Sequence, residues 1–264
     1  MSETTRPSKV RNRFIVFAVI TSLILLLGGV KLFVDPFPKA MFYYAFGKIE
    51  EALSEANQAV AQDPQSENVY RLRASIFRQL GQNQSALADY TKAIELDPSD
   101  FNFDDRAEVY ERLGRQCEAI ADYSRSIQLD STYDRPYIGR ASALNASGHY
   151  KEAIDDYSKA IELERPDPLM DLYLDRGQAY LNAKQWQNAF EDYSTALKGG
   201  EDSPYPYEGR GLACLHLGQP ELAKQQLEEA IRLHTRNRAI YTKAGRQDLV
   251  REEDKRIAEL EKLI

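Results

Sequence analysis

The sequence predicts an all-α protein: a single transmembrane helix, a solenoid of six helix pairs, and a C-terminal capping helix. Three observations support this fold class. An uncharged apolar run lies near the N-terminus, one motif recurs through the middle of the chain, and an amphipathic segment without the motif follows it. Recurrence at a period of about 34 residues is typical of helical repeats, in which neighbouring units stack to bury a shared core.

Charge is distributed unevenly along the chain. The 264 residues carry a net charge of −7, whereas residues 1–13 contain four basic residues and one acidic residue. An acidic protein lacks the basic stripe that phosphates require, so the composition argues against a nucleic-acid partner. We interpret residues 1–13 as a basic cytoplasmic tail.

Residues 14–34 are predicted to be the transmembrane helix. Phe14–Val30 contains no charged residue, and Lys31 lies close enough to the end of the span to extend its amine towards the membrane surface. As a helix, this segment would measure about 31 Å, close to the thickness of the hydrocarbon core. Two alternatives stay open: a cleaved signal peptide, although the run is long for one and no A-x-A-like site follows, and a buried or interfacial helix.

The orientation follows from the basic residues on either side of the span. Four precede it, whereas Lys31, Lys39 and Lys48 are spread through and after its end. The positive-inside rule then places the N-terminus in the cytoplasm. We expect a single-pass protein of the inner (cell) membrane with a periplasmic or exoplasmic body.

Residues 35–234 contain six copies of one motif. Each copy is aligned on an alanine, with a small residue twelve positions before it and another seven positions after it. These alanines are Ala52, Ala86, Ala119, Ala153, Ala189 and Ala223. Five copies also have a turn glycine five residues before the alanine, and Lys184 takes this place in the other copy. Apolar residues recur with helical spacing on both sides of the turn, so each copy is predicted to form two helices.

The motif resembles the tetratricopeptide repeat (TPR), which has the pattern W-x2-L-G-x2-Y, then A-x3-F, then P. The matching residues of the second copy are Tyr70, Arg73, Ala74 and Phe77, then Ala86 and Tyr90, then Pro98. The third copy has Phe103, Arg106, Ala107, Tyr110, Ala119 and Tyr123, and the fifth has Tyr173, Arg176, Gly177, Tyr180, Ala189 and Tyr193. The resemblance covers about residues 36–234 and implies a solenoid whose first helices line a concave face.

The leucine position of the family is basic in all six copies: Lys39, Arg73, Arg106, Arg140, Arg176 and Arg210. An acidic residue or an amide recurs sixteen residues later: Glu55, Asp89, Asp122, Asp156, Asp192 and Gln226. The two positions come opposite each other when a helix pair folds at its turn, so we predict an arginine–aspartate pair inside each repeat. A ladder of arginines that binds an anion is the alternative.

Residues 235–264 do not follow the motif. Ala239, Tyr241 and Ala244 are consistent with a short helix that ends at Gly245, and an apolar stripe with charged residues elsewhere follows it. Because a terminal repeat needs a polar outer face, we predict a capping helix. A helix that forms a coiled coil with a partner is the alternative.

The sequence shows no signature of catalysis, a cofactor or a metal site. Cys117 and Cys214 lie about three repeats apart, too far for a disulfide. Cys214 and His216 would point in different directions from one helix, so they do not form a chelating pair. No nucleophile elbow, zinc-protease motif or phosphate loop is present. We therefore predict that the protein is not an enzyme.

By the resemblance, the first helices supply the side chains that contact a partner. The candidate residues are Arg71, Arg78, Phe101, Asp104, Glu108, Glu111, Arg135, Ile138, Asn145, Leu174, Gln178, Leu181, Tyr205, Glu208, Leu212 and Leu215. An apolar groove beside an acidic patch suits an extended or helical peptide with basic residues. The alternative is that neighbouring repeats or the cap cover many of the apolar residues.

The predicted fold and groove lead to two hypotheses about function. The first is a membrane-anchored, non-catalytic scaffold that binds a protein or peptide in its groove, in a bacterial envelope assembly. The second is a self-associating structural subunit of a membrane complex, in which a homo-oligomer forms and the groove is incidental.

Overall fold

The computed structural model describes residues 35–163, 170–199 and 202–264. Over these residues it contains thirteen α-helices, one short 3-10 turn and no β-strand. The helices are α1 (Pro36–Ala45), α2 (Ile49–Gln62), α3 (Glu67–Gln79), α4 (Asn83–Leu96), α5 (Asp100–Arg112), α6 (Gln116–Leu129), α7 (Arg135–Ala146), α8 (Tyr150–Leu163), α9 (Met170–Asn182), α10 (Trp186–Ala196), α11 (Pro204–His216), α12 (Pro220–Lys243) and α13 (Gln247–Leu260). Six helix pairs and a final helix confirm the predicted all-α repeat architecture.

The chain divides into two compact units at Pro98. The described part of the first unit contains the pairs α1–α2 and α3–α4. The second unit contains the pairs α5–α6, α7–α8, α9–α10 and α11–α12, followed by α13. In both units the aligned alanines are fully buried where the two helices of a pair meet. A methyl side chain at this position lets the two backbones approach closely, which explains the regular recurrence of alanine.

Each helix pair turns through a residue with left-handed backbone. In the second repeat, Gly81 has φ of 73°, and its N–H donates to the carbonyl of Arg78 at 3.1 Å. The next N–H, that of Gln82, donates to the carbonyl of Phe77 at 2.8 Å, which completes a Schellman motif. Lys184 adopts the same conformation, with φ of 59°. The predicted turn positions are therefore confirmed, including the one without glycine.

The predicted arginine–aspartate pairs are present in both units. In Arg140, Nε and one terminal nitrogen each lie 2.7 Å from an oxygen of Asp156. Arg73, Arg106 and Arg176 bind Asp89, Asp122 and Asp192 with the same two-pronged geometry. The first repeat has Lys39 and Glu55 at 3.8 Å, and in the sixth repeat Arg210 donates to the amide oxygen of Gln226.

The C-terminal region differs from the sequence prediction. α12 runs without interruption from Pro220 to Lys243, so the predicted boundary between residues 234 and 235 lies inside a helix. No Gly or Pro occurs between Glu221 and Ala244, so nothing stops the helix at the end of the repeat period. Gly245 follows the end of this long helix, and the predicted separate short helix before Gly245 is part of α12. α13 then packs on α12 as the predicted capping helix, and Leu260 joins a core cluster with Tyr207, Leu227, Ala230 and Leu233.

The predicted tail and transmembrane helix, residues 1–13 and 14–34, lie outside the described residues. Among the helices that the structure does describe, none is long and apolar enough to span a membrane.

Candidate partner-binding site

Two of the sequence-predicted contact residues, Arg71 and Arg78, lie on α3 in the first unit. Both are half-buried, and a terminal nitrogen of Arg71 donates to Asn68 Oδ1 at 3.1 Å. The other fourteen candidates lie in the second unit.

The predicted acidic patch on α5 is partly neutralised by the next repeat. Asp104 is only 1% exposed, and its carboxylate lies 2.9 Å from a terminal nitrogen of Arg135 on α7. The same guanidinium lies 3.5 Å from Asp105 and also contacts Glu108. Phe101, at the start of α5, is half-buried, with its ring centroid 6.0 Å from that of Tyr133. Asp104 is thus a buried inter-repeat contact and is not available to a partner.

The predicted apolar groove is largely used for packing between helices. Leu181 is buried, and Leu174 and Leu212 pack against the cluster that it forms with Ala189, Tyr193 and Ala213. Leu215 packs against the cluster that contains Leu260 of the cap. These leucines form core contacts, because adjacent first helices approach closely enough to cover them.

Several of the remaining candidates form hydrogen bonds between helices or contact the capping helix. Asn182 on α9 donates to Asn145 Oδ1 on α7 at 3.0 Å, and Gln178 Nε2 donates to Asn182 Oδ1 at 3.0 Å. Glu208 is 5% exposed and accepts from Arg256 Nε on α13 at 2.8 Å. Tyr205 is 60% exposed. Glu208 therefore belongs to the contact with the cap, whereas Tyr205 is accessible.

One cavity brings several of the predicted residues together. It has a volume of about 600 Å³ and lies between α5, α7 and α9, where Glu108, Glu111, Arg135 and Ile138 line it. The other lining residues are Arg112, Tyr123, Gly139, Ser142 and Asp175. At Gly139 a β-carbon would lie 2.2 Å from the ring of Tyr123, so only glycine lets this ring lie against α7.

The cavity combines unpaired acids with buried tyrosines. The hydroxyl of Tyr123 donates to Glu111 Oε2 at 2.5 Å, yet burial raises the pKa of Glu111 more than its hydrogen bonds lower it. Partial removal from water raises the pKa of Asp175, and the nearby charge of Asp171 adds to the rise. Burial raises the pKa of Tyr157, and the charges of Asp175 and Glu111 contribute as well. Within the described part of the chain neither Glu111 nor Asp175 has an ion pair, and the lining holds three carboxyl groups against the guanidinium groups of Arg112 and Arg135.

The contact residues predicted from the sequence did not include four residues that line the cavity: Arg112, Tyr123, Gly139 and Asp175. Tyr123 was identified in the sequence only as a residue of the repeat motif, and in the structure its hydroxyl reaches Glu111 on α5. A signal was present for Gly139: it precedes the pairing Arg140 as Gly209 precedes Arg210, whereas the second, third and fifth repeats have Leu72, Asp105 and Asp175 at this place. The lack of a side chain at Gly139 provides the space that the ring of Tyr123 occupies.

The described ranges contain no group of three or more His, Cys, Asp or Glu side chains that could hold a metal ion. Cys117 is exposed and Cys214 is buried, and both are free thiols.

The family of the chain follows from its repeats. The sequence matches the tetratricopeptide repeat profile over residues 38–101, 138–206 and 174–238, which together make up more than half of its length. The chain belongs to the tetratricopeptide repeat family and is a helical repeat scaffold of the kind used for protein–protein interaction. No curated protein matches the sequence significantly.

Several solved structures share the fold. The C-terminal part of a TPR protein from Cytophaga hutchinsonii is 21% identical with a TM-score of 0.66, and the match covers 85% of this chain and 95% of that chain. The Cut9–Hcn1 structure of the APC/C is 18% identical with a TM-score of 0.64, and the match covers 90% of this chain but only 45% of that chain. YrrB, described as a TPR protein with an unusual peptide-binding site, is 18% identical with a TM-score of 0.61, and the match covers 67% and 91%. At these identities the likeness shows the fold alone.

Proposed function

We propose that this protein is a non-catalytic, membrane-anchored scaffold whose α5–α7–α9 cavity binds a segment of a partner protein that carries basic residues. The observation that carries this proposal is the cavity itself, with Glu111 and Asp175 in its wall. Glu111 is half-buried and Asp175 is exposed. Neither has an ion pair among the described residues, and a lysine or arginine side chain of a partner would supply a cation.

The rest of the lining suits a peptide. Tyr123 and Ile138 provide apolar contact, and Ser142 and Arg112 provide polar groups for a backbone or an acidic side chain. Peptide-binding grooves commonly combine such apolar contacts with a few charged positions that set specificity. YrrB, which has a similar fold, is described as having a peptide-binding site.

Membrane anchoring is part of the same proposal and rests on the sequence. The uncharged run Phe14–Val30 follows a basic tail, which favours a cytoplasmic N-terminus and a periplasmic or exoplasmic body. A scaffold held in this way would act in a bacterial envelope assembly at the inner membrane.

The binding proposal is tested with the full chain in mild detergent and a display library of random twelve-residue peptides. We expect the selected peptides to be enriched in lysine and arginine, and to bind the double variant Glu111→Gln, Asp175→Asn at least about ten-fold more weakly. A matched control, Glu152→Gln with Asp155→Asn, makes the same charge change at two exposed positions on α8. Equal weakening in both variants, or no enrichment in basic residues, would contradict the proposal.

A further inference from the structure

The outward face of α1 is apolar, although this helix lies at the start of the repeat array. The opposite face packs inside the first unit, where Ala40 is fully buried and Tyr43 lies against the same cluster. The outward positions are Met41, Phe42 and Ala45, together with Phe46, the C-cap residue that follows the helix. Phe46 is 62% exposed and Met41 36% exposed, and the rings of Phe42 and Phe46 lie 4.5 Å apart. We call these four residues the α1 face.

The α1 face is unusual for a terminal repeat. End repeats of helical arrays need a polar outer face, because no further repeat covers them. The last helix of this chain meets the requirement: α13 exposes Arg251, Glu252, Asp254 and Lys255. The α1 face has no charge, and contiguous exposed apolar side chains of this kind mark a contact surface.

The chain upstream indicates what covers this face. Residues 14–34 are the apolar run that we propose as the membrane anchor, and they end directly at Asp35. Asp35 is the N-cap of α1, where its Oδ1 accepts from the N–H of Phe37 at 3.0 Å. A ten-residue helix is about 15 Å long, so the whole α1 face is within one short helix length of the end of the anchor.

The composition of the helix also suits a membrane surface. Aromatic residues are enriched at the lipid–water interface, where an amphipathic helix lies with its apolar face among the headgroups and upper acyl chains. Lys48, just after the end of α1, is exposed, and an anionic headgroup would attract its amine.

We propose that the α1 face lies in the lipid–water interface of the membrane that holds residues 14–34. The first repeat is then docked on the bilayer, and it does not move freely on a tether. This inference rests on the proposed membrane anchoring and adds a second contact with the lipid.

The test places a single tryptophan on the α1 face. Trp186, the one tryptophan of the chain, is replaced by Phe, and Phe46→Trp introduces the probe. The full chain is reconstituted into vesicles of phosphatidylethanolamine and phosphatidylglycerol, with or without bromine on the acyl chains. We expect the probe to emit at shorter wavelength than a tryptophan exposed to water. In brominated vesicles it should lose roughly half of the emission that it has in vesicles without bromine. The control is Ile240→Trp in the same background, because Ile240 is 53% exposed in the second unit; we expect its emission to be unchanged.

Vesicle flotation separates the two proposals. If the chain floats with the vesicles but the probe at position 46 is not quenched, the anchor stands and the docking of α1 is wrong. A probe that shifts to shorter wavelength without bromine quenching would mean that a second copy or a protein covers the face, which also overturns the inference. Equal quenching at both positions would contradict a contact specific to α1. If the chain does not float, both the anchoring and the docking fail.

Discussion

In the fourth and fifth repeats, one arginine joins three helices. Arg140 on α7 binds Asp156 on α8, and its remaining terminal nitrogen donates to Ser124 Oγ on α6 at 3.0 Å. Arg176 on α9 repeats this pattern with Asp192 on α10 and with Ser158 on α8 at 2.9 Å. The guanidinium therefore connects the two helices of its own repeat to the second helix of the preceding one. An arginine suits this position because it offers five donors in a fixed plane.

Removal of the acid from this contact is expected to destabilise the fold strongly. Asp156→Ala leaves the Arg140 guanidinium half-buried without its counter-charge, and we expect a loss of about 3 kcal/mol in the free energy of unfolding. Urea unfolding followed by circular dichroism measures it. Glu152→Ala, on the exposed side of the same helix, is the control and should change stability by less than about 0.5 kcal/mol. A similar small change for Asp156→Ala would show that the pair does not hold the repeat together.

Lys184 occupies a turn position where the other repeats have glycine. A left-handed conformation costs a residue with a β-carbon about 1 kcal/mol, so Lys184→Gly should raise the free energy of unfolding by about that amount. The reverse change in an equivalent turn, Gly148→Ala, should lower it by a similar amount. Chemical denaturation of both variants tests the pair, and a loss of stability in Lys184→Gly would contradict the assignment of the turn.

Glu111 is expected to make stability depend on pH. Its pKa in the folded protein is raised by burial, so the folded state holds this proton more tightly than the unfolded chain does. The contribution of Glu111 is therefore most favourable in acid and declines as pH rises from the ordinary pKa of glutamate to the raised value. Glu111→Gln keeps an acceptor for Tyr123 and should reduce this decline. Urea midpoints between about pH 4 and about pH 7 test it; a steeper decline in the variant would mean that the direction is wrong.

At the scale of whole elements, the C-terminal end is organised around buried charges. His234 on α12 lies between Glu253 on α13, at 2.5 Å, and Glu208 on α11, at 3.5 Å. Arg256 on α13 provides the second partner of Glu208. The amphipathic stripe predicted α13 correctly. The charged contacts could not be predicted, because Glu208 and Arg256 are 48 residues apart and meet only after α12 has extended past the repeat period.

The cap is expected to open when its ion pair is removed. Arg256→Ala leaves the buried Glu208 without a permanent positive charge beside it, and the loss should fall mainly on α13. We expect hydrogen exchange in α13 to accelerate by roughly ten-fold or more while α5 and α6 stay protected. Lys255→Ala, at a side chain that is 80% exposed, is the control. Equal acceleration throughout the second unit would mean that α13 is not an independent cap.

For the whole molecule, regular features were predictable from the sequence and contacts between repeats were not. The alanine positions and the arginine–aspartate pairs follow from spacing, because two helices joined by a short turn must bring residues sixteen apart together. Arg135 forms ion pairs with Asp104, Asp105 and Glu108. These contacts depend on how adjacent repeats pack, and no sequence motif predicts them. The cavity depends on the same packing and on the absence of a side chain at Gly139. The sequence therefore placed candidate residues on the helices that line the cavity, but it overestimated the free surface of these helices.

Crosslinking in cells tests whether the α5–α7–α9 cavity binds a basic segment of a partner. A photoreactive benzoylphenylalanine replaces Ile138 in the cavity, or Gln187 on the exposed surface of α10 as the control. We expect the probe at position 138 to form an adduct whose crosslinked peptide contains lysine or arginine. The double variant Glu111→Gln, Asp175→Asn should remove this adduct. An adduct that persists in this double variant, or that forms equally from Gln187, would contradict the claim.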